Sequence, residues 1–367
     1  MQLRIPGPTP LPPQVLEAMT RQMINHRGKG FAELINDLTA KLKALFQTKD
    51  DVFILTSSGT GGMEAVIVNT LSPGDRVLAV CNGFFGERFA DIAEGFGAEV
   101  DRLRFEWGTA VDPQAVGQAL KKDPSIKAVL ATHNETSTGV TNDLASISAT
   151  AKEFDKLVLV DAISGLGSIE LPVDAWHLDV VVTASQKGWM APPGLAMVSV
   201  SQEAWQAHAQ AKMPRYYWDF TRCKSFLERG QTPWTPGLST FYALAASLDL
   251  IEQEGLANII ARHTRVGQAA RQGVKSLGLA LFPEESCASN TVTAVRVPDG
   301  LDVKKLLQIL REERNLVLSG GQQRLEGQIF RIGHLGWVNE ADIEVVMREL
   351  EIALPQAGFT RGGQVSG

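Results

Sequence analysis

Lys187 stands in a turn between two strand-like runs. DVVV (179–182) leads in, LAMVSVS (195–201) leads out, and TASQKGWMAPP (183–193) between them closes on a proline-proline-glycine brake. Short apolar runs bounded by turn chemistry read as buried strands. A lysine amine is nucleophilic only when deprotonated, and desolvation favours that form. Held at a strand end in a cleft, such a lysine can form a Schiff base. An arbitrary loop lysine is simply solvated, so the weight must come from its company.

Four other stretches could supply that company. Ser57-Ser58-Gly59-Thr60-Gly61-Gly62 lies between a strand and a helix. Its glycines let the backbone close on an anion, its hydroxyls donate, and a helix N-terminus adds favourable partial charge. It fits neither GxxxxGK[ST] nor GxGxxG, which weakens nucleotide readings. Asp161 closes LVLVD; it could cap the next helix, or pair with a protonated ring nitrogen. Asn82-Gly83-Phe84-Phe85-Gly86 puts aromatics on a glycine-flanked loop, where one could stack on a planar ring or fill the core. His133-Asn134-Glu135-Thr136-Ser137-Thr138-Gly139 follows KAVLAT (127–132) with hydroxyls that could bond a phenolic oxygen. Singly, each also has a plain structural reading. Jointly they give a phosphate cradle, a ring stacker, a carboxylate for a ring nitrogen and an amine for an aldehyde. That is the parts list of a pyridoxal phosphate (PLP) site.

The elements that must position these groups alternate. VFILT (52–56) reads as a strand, 57–62 as a glycine turn and MEAVIVNTL (63–71) as a helix. VLAV (77–80), KAVLAT and LVLVDA (157–162) read as strands, with helices over 84–96, from Asp112-Pro113, and over 143–154. Such alternation implies parallel crossovers and a sheet covered on both faces, an α/β class. Before it, 34–46 has helical apolar spacing. Ile5–Pro13 (IPGPTPLPP) is too proline-rich for regular structure and reads as an extended arm, free or laid over a cleft. The character changes near 252–255. A long helix over 256–277, strands at 291–297 and 329–335, and helices at 302–313 and from Asn339 suit a small α+β domain. The expected division is an arm (1–16), a large domain (17–253), a small C-terminal domain (254–358) and a disordered tail (359–367).

Composition excludes several classes. The 367 residues are 44% hydrophobic, which is ordinary for a globular chain of one large and one small domain. The net charge of −6 without a dense basic run speaks against nucleic acid. No apolar run approaches the roughly 18 residues of a membrane span, and the start lacks the pattern of a signal peptide. Cys81, Cys223 and Cys287 are too far apart for CxxC pairs or a disulfide framework, so a reducing cytoplasm is expected, with no metal site.

The motifs PGPTPLPP, SSGTGGMEA, NGFFGER, THNETSTGV, VDAISGLG, SQKGWMAPPG, TPWTP and FRIGHLG span about residues 5–336. Together they resemble the class V, fold-type I PLP-dependent aminotransferases, in particular the alanine–glyoxylate and serine–glyoxylate (serine–pyruvate) group. The resemblance implies a large domain with a mainly parallel seven-stranded sheet. Lys187 would form the Schiff base and Asp161 would partner the pyridine nitrogen. Ser58, Gly59, Thr60 and Gln186 would hold the phosphate, Thr136 would contact the phenolic oxygen, and Phe85 would stack on the ring where relatives often have tryptophan. Arg331 would clamp the substrate carboxylate, a geometry guanidinium suits. Thr235 would reach the phosphate of the other subunit, with Thr232 where some relatives have a tyrosine, which implies a homodimer with sites at its interface. The arm resembles a segment that crosses onto the partner and brings Pro6-Gly7 near the substrate.

One arginine at a carboxylate-clamping position suggests a small site, with alanine or serine as donor and glyoxylate or pyruvate as acceptor. Dicarboxylic donors need a second cation, for which Arg27 is a candidate. Aspartate, glutamate or aminoethylphosphonate as donors, a cysteine desulfurase and a non-catalytic partner subunit are the alternatives. Gln186 in place of the histidine usual before a desulfurase lysine argues against the second. The joint presence of Lys187, Asp161 and Arg331 argues against the third.

Overall fold

The computed structural model describes residues 2–359. A seven-stranded sheet has the order Asp51–Thr56, Leu195–Val200, Val180–Ala184, Leu157–Asp161, Ala128–Thr132, Arg76–Cys81, Glu99–Arg104. Only Leu195–Val200 runs antiparallel to its neighbours. Strand side chains alternate between faces, and the core divides accordingly. Ile54, Val80, Val129, Val160 and Val181 pack on one face, with helices Lys29–Phe46 and Leu238–Glu254. Leu55, Ala79, Leu130, Leu159 and Val182 pack on the other, with helices Gly59–Thr70 and Phe84–Gly95. The central strands are apolar throughout because both faces are covered. Glu99–Arg104, by contrast, is a partly exposed edge whose charges (EVDRLR) protect it from further pairing. The same charges hide it in the sequence, where no strand is expected between 96 and 112.

Most of the other expected strands and helices fall within a residue or two, but helix Lys29–Phe46 starts five residues before the expected 34–46, and helices Gln202–Gln210, Phe220–Leu227 and Leu238–Glu254 were not expected. Two stretches need comment. The glycine-rich stretch is not a turn before a helix. The helix begins at Gly59, and three of its first four residues are glycine because its first turn lies directly on the sheet. A Cβ on Gly62 would meet Val182 Cγ2 at 2.5 Å and Ala196 Cβ at 3.0 Å. The second concerns the arm. Residues 5–12 carry no helix or strand, as expected, but regular structure flanks them: Gln2–Leu3 pairs in parallel with Leu316–Val317, and a helix Pro13–Ala18 starts with proline at its first position. The arm folds onto its own chain: Arg4 O accepts from Gly333 N at 2.7 Å, and the Arg4 guanidinium pairs with Asp342.

Helix Leu238–Glu254 ends at Gly255, whose φ of 82° reverses the chain into helix Leu256–Ser276. Beyond it, Val292–Arg296, Ile329–Gly333 and Ser319–Gly320 form an antiparallel sheet. Helices Val303–Glu312 and Glu340–Gln356 cover it around a separate apolar core that includes Leu306, Leu310, Phe330, Ile332 and Leu350. Asn339 caps the last helix in a capping box with Asp342. The expected disordered tail lies, beyond Phe359, outside the described residues.

Gly62 provides a test of the close helix–sheet contact. Alanine would gain about 1 kcal/mol of helix propensity but overpack a filled core, at about 1–3 kcal/mol. Gly62→Ala is expected to lower the urea midpoint without changing the slope, and a raised midpoint would contradict the packing described.

Candidate active site

The parallel strands all deliver their loops to one edge of the sheet, the position at which open α/β sheets bind ligands. Thr56 leads into Ser57-Ser58, Cys81 into Asn82-Gly83, Thr132 into 133–139, Asp161 into 162–166, and Ala184 into Ser185-Gln186-Lys187. One pocket there is lined by Ser58, Gly59, Thr60, Phe85, Thr136, Asp161, Gln186 and Lys187, together with Met63, Arg88, Asn134, Ile163 and Ser164. Eight residues singled out from the sequence therefore meet in one place.

The lysine turn is fixed before its side chain begins. Ser185 Oγ donates to Pro192 O at 2.6 Å and accepts from Leu195 N at 3.2 Å. Buried Trp189 donates from Nε1 to Thr183 Oγ1 at 2.8 Å. The N-terminal segment locks it from above: Thr9 N donates to Gln186 O at 3.1 Å, and Thr9 Oγ1 to Lys187 O at 3.2 Å. Lys187 Nζ then donates to Pro6 O at 2.6 Å. Gly7 is required at this crossing. Its φ is 114°, and a Cβ there would lie 2.6 Å from Lys187 Nζ. Burial pushes the Lys187 pKa down to about 8, against an opposite pull from Asp161, while the Arg331 and Arg88 charges lower it further.

Asp161 is 3% exposed and accepts from Ile163 N at 2.9 Å. Desolvation raises its pKa to about 7 despite that bond, and the neighbouring Glu135 charge adds to the rise. Gly59 and Thr60 open their helix, so their N–H groups have no intrahelical partner and carry the positive end of its dipole. Gln186 Oε1 is buried without a hydrogen-bond partner, an acceptor open to a donor group of a ligand. Thr136 Oγ1 lies 2.6 Å from Ser164 Oγ, which Asn134 Nδ2 contacts at 2.8 Å.

Arg331 stands behind the Thr136 loop, 5% exposed. Nε and Nη2 donate to Gly320 O, and Nη1 donates to Thr136 O and to Gln322 Oε1, both at 3.2 Å. Burial lowers its pKa to about 10. Two expected residues are elsewhere. Thr235 is exposed and lines no part of the pocket. Arg27 is bound to the loop 231–233, through Gln231 Oε1 at 3.0 Å, Thr232 O at 2.6 Å and Pro233 O at 3.2 Å.

Three further polar residues of the site belong to motifs that give their own side chains no distinguishing signal. Ser164 sits in VDAISGLG. Glu135, fully buried in THNETSTGV, accepts from Phe85 N and Gly86 N at 3.0 Å each, and from Ser137 N and Oγ. It thereby ties the Phe85 helix to the Thr136 loop. Arg88, in NGFFGER, lies over the rings of Phe84 and Phe85, 4.6 and 5.1 Å from their centres.

The arrangement presents an amine of lowered pKa, an acid of raised pKa, an anion cradle of backbone N–H groups and hydroxyls, and an aromatic face. The family described as aminotransferase class-V matches residues 2–334. The chain is 44% identical to the "Soluble hydrogenase 42 kDa subunit" of Anabaena cylindrica, over 100% of this chain and 97% of that one. It is 36% identical to the "Serine--glyoxylate aminotransferase" of Arabidopsis thaliana, over 97% and 91%. A solved alanine–glyoxylate aminotransferase from Nostoc sp. superimposes with a TM-score of 0.92 at 31% identity, covering 96% of this chain and 94% of the other.

The raised acid has a measurable signature in the ligand-free protein. The Asp161 pKa of about 7 lies above the ordinary 3.8. The folded chain thus binds this proton more tightly than the unfolded chain does. The associated stability is fully present below about pH 4 and is lost as pH rises through about 7. Asp161→Asn does not titrate. Relative to that variant, the wild type is expected to lose about 3 kcal/mol between about pH 4 and pH 7, then level off. A pH-independent difference in urea unfolding would refute the shifted carboxylate.

Proposed function

The chain belongs to the class-V aminotransferase family, and we propose that it transaminates alanine or serine with a small 2-oxo acid, glyoxylate or pyruvate. The fold family is PLP-dependent. When bound, PLP supplies an aldehyde for an amine and a ring that takes up the electrons of the substrate α-carbon. The observation that carries the proposal is the meeting of Lys187 and Asp161 in one pocket with the helix N-terminus at Gly59.

Each part of the cofactor has a counterpart in the donor set. Ser58, Gly59, Thr60 and Gln186 would hold the phosphate by hydrogen bonds and the helix dipole. Asp161 would hold the proton on the ring nitrogen; a cation there also relieves the cost of burying its charge. Phe85 would cover one ring face, with less area than a tryptophan, and Thr136, oriented by Ser164, would bond the phenolic oxygen. Lys187 would be the point of attachment. With its amine free, Lys187 would act as the general base for the α-proton. A pKa near 8 suits that task, because the neutral form is accessible at neutral pH. Pro6 O gives the free amine an acceptor that keeps it in the site.

Arg331 would clamp the substrate carboxylate. Its two carbonyl partners orient the guanidinium plane, and Gln322 is the side-chain partner a carboxylate could displace. Pro6 and Gly7, which meet Lys187 of their own chain, would lie near the substrate. The homodimer remains part of the proposal: exposed Thr235 is free to reach a second copy's phosphate site. Tyr216, 65% exposed and stacked on Trp234, offers apolar surface beside it. A cytoplasmic setting accords with three free cysteines among the described residues.

The "soluble hydrogenase" name of one relative raises the reading of a non-catalytic subunit. An idle subunit has no need to keep a desolvated lysine and a desolvated aspartate together. Titrating the purified PLP-loaded protein with single amino acids discriminates between the readings. Alanine or serine is expected to convert the aldehyde form of the cofactor to the amine form, seen in the visible spectrum. Conversion by aspartate or glutamate with none by either small donor would contradict the donor assignment, and no conversion by any would remove the activity. Lys187→Ala should reduce turnover by on the order of a thousandfold or more; wild-type rates in it would dismiss the lysine.

A further inference from the structure

Three cationic side chains surround the pocket, and two have a task. Lys187 faces Asp161, and Arg331 is held by carbonyls beside the Thr136 loop. Arg88 has none. It lines the pocket with Phe85 and Lys187, makes no ion pair with an acid among the described residues, and rests its guanidinium over Phe84 and Phe85. Glu87 beside it in sequence is taken by Arg102 and Arg104. The two buried carboxylates are also engaged elsewhere, Glu135 with four N–H and O–H donors and Asp161 with Ile163 N. A guanidinium held flat on aromatic rings keeps its edge N–H groups free for an acceptor. This one lies close enough to lower the pKa values of both Lys187 and Asp161.

We propose that Arg88 is a second anion-binding group of the site, which receives the side-chain carboxylate of a dicarboxylic amino donor or its oxo-acid counterpart. This deepens the reading of the pocket as an aminotransferase site and rests on it. Arg331 takes the carboxylate at the reacting carbon, and Arg88 takes the second one. Aspartate, a short acidic donor, would engage both cations and so be accepted beside the small neutral donors. Small neutral donors use Arg331 alone and leave Arg88 solvated over its rings. The sequence suggested Arg27 for this task, but its guanidinium is bound to the carbonyls of Thr232 and Pro233 and to Gln231. The competing occupant is the cofactor phosphate. Its cradle is a different helix, Gly59–Thr70, whereas Arg88 belongs to Phe84–Gly95.

The test uses the PLP-loaded wild type, Arg88→Gln, and Arg88→Lys, which keeps the charge without the fork. Maleate and propionate serve as unreactive probes, with affinities read by calorimetry, and the aspartate-to-alanine ratio of kcat/KM is read separately. Wild type is expected to bind maleate more tightly than propionate, and Arg88→Gln should shrink that preference at least about tenfold, the size of one charge-assisted hydrogen bond. Arg88→Lys should fall between, and the aspartate-to-alanine ratio should drop in parallel. An unchanged preference in Arg88→Gln would overturn the proposal, as would a variant that loses PLP affinity in place of maleate affinity, since the phosphate would then be the occupant. The probe measurement does not depend on turnover. A wild type that prefers maleate yet converts no amino acid would sink the activity but keep the anion site, whereas conversion of alanine without any maleate preference would do the reverse.

Discussion

Burying an amine and a carboxylate in one pocket at the end of a sheet is unfavourable unless other groups hold them, and the neighbouring backbone does so here. The backbone at Lys187 is bonded through Ser185 on one side and Thr9 on the other, and the amine itself reaches Pro6 O. Asp161 terminates a strand that is buried over its last four residues. Desolvation moves the two pKa values towards each other, to about 8 and about 7. Both groups then sit near neutrality, where a proton can be exchanged at small cost. A solvated lysine and a solvated aspartate would each stay locked in one form.

The N-terminal segment links this pair to the C-terminal sheet. Residues 2–4 are hydrogen-bonded to Asn315, Val317 and Gly333, and residues 6–9 to the Lys187 turn. Arg331 lies two residues before Gly333 on the same strand. The carboxylate-binding group and the reactive amine are therefore joined by a few residues of proline-rich chain, whose fixed φ values limit its slack. This accounts for the proline content of a stretch that, by itself, reads only as irregular.

Much of this was legible in the sequence because it rests on local patterns. The buried parallel strands are continuous apolar runs, and loops with chemistry fall at their ends; six of the seven strands and the loops that line the pocket followed from that, while Gln186 and the single roles within those loops came from the resemblance. What was missed depends on tertiary placement. Glu99–Arg104 is an edge strand with a charged pattern that suits a surface loop equally well. The glycines at 59–62 signal a turn locally, yet here they mark the approach of a helix to Val182 and Ala196. Glu135 and Arg88 carry no periodic signal, and only the fold shows one buried under a helix N-terminus and the other facing the pocket. The crossing of the arm onto a partner was implied by resemblance, whereas the bonds of residues 2–9 to their own chain depend on tertiary placement and had no signal in the sequence.

The account stands on one atom, Lys187 Nζ, being where the cofactor is attached. Reduction of the PLP-loaded protein with borohydride fixes that bond, and mass spectrometry of the peptides locates it. The expected result is a single pyridoxyl adduct on the peptide that contains Lys187. An unmodified Lys187 with the adduct on another lysine, or no adduct in protein that retains PLP, would contradict the account.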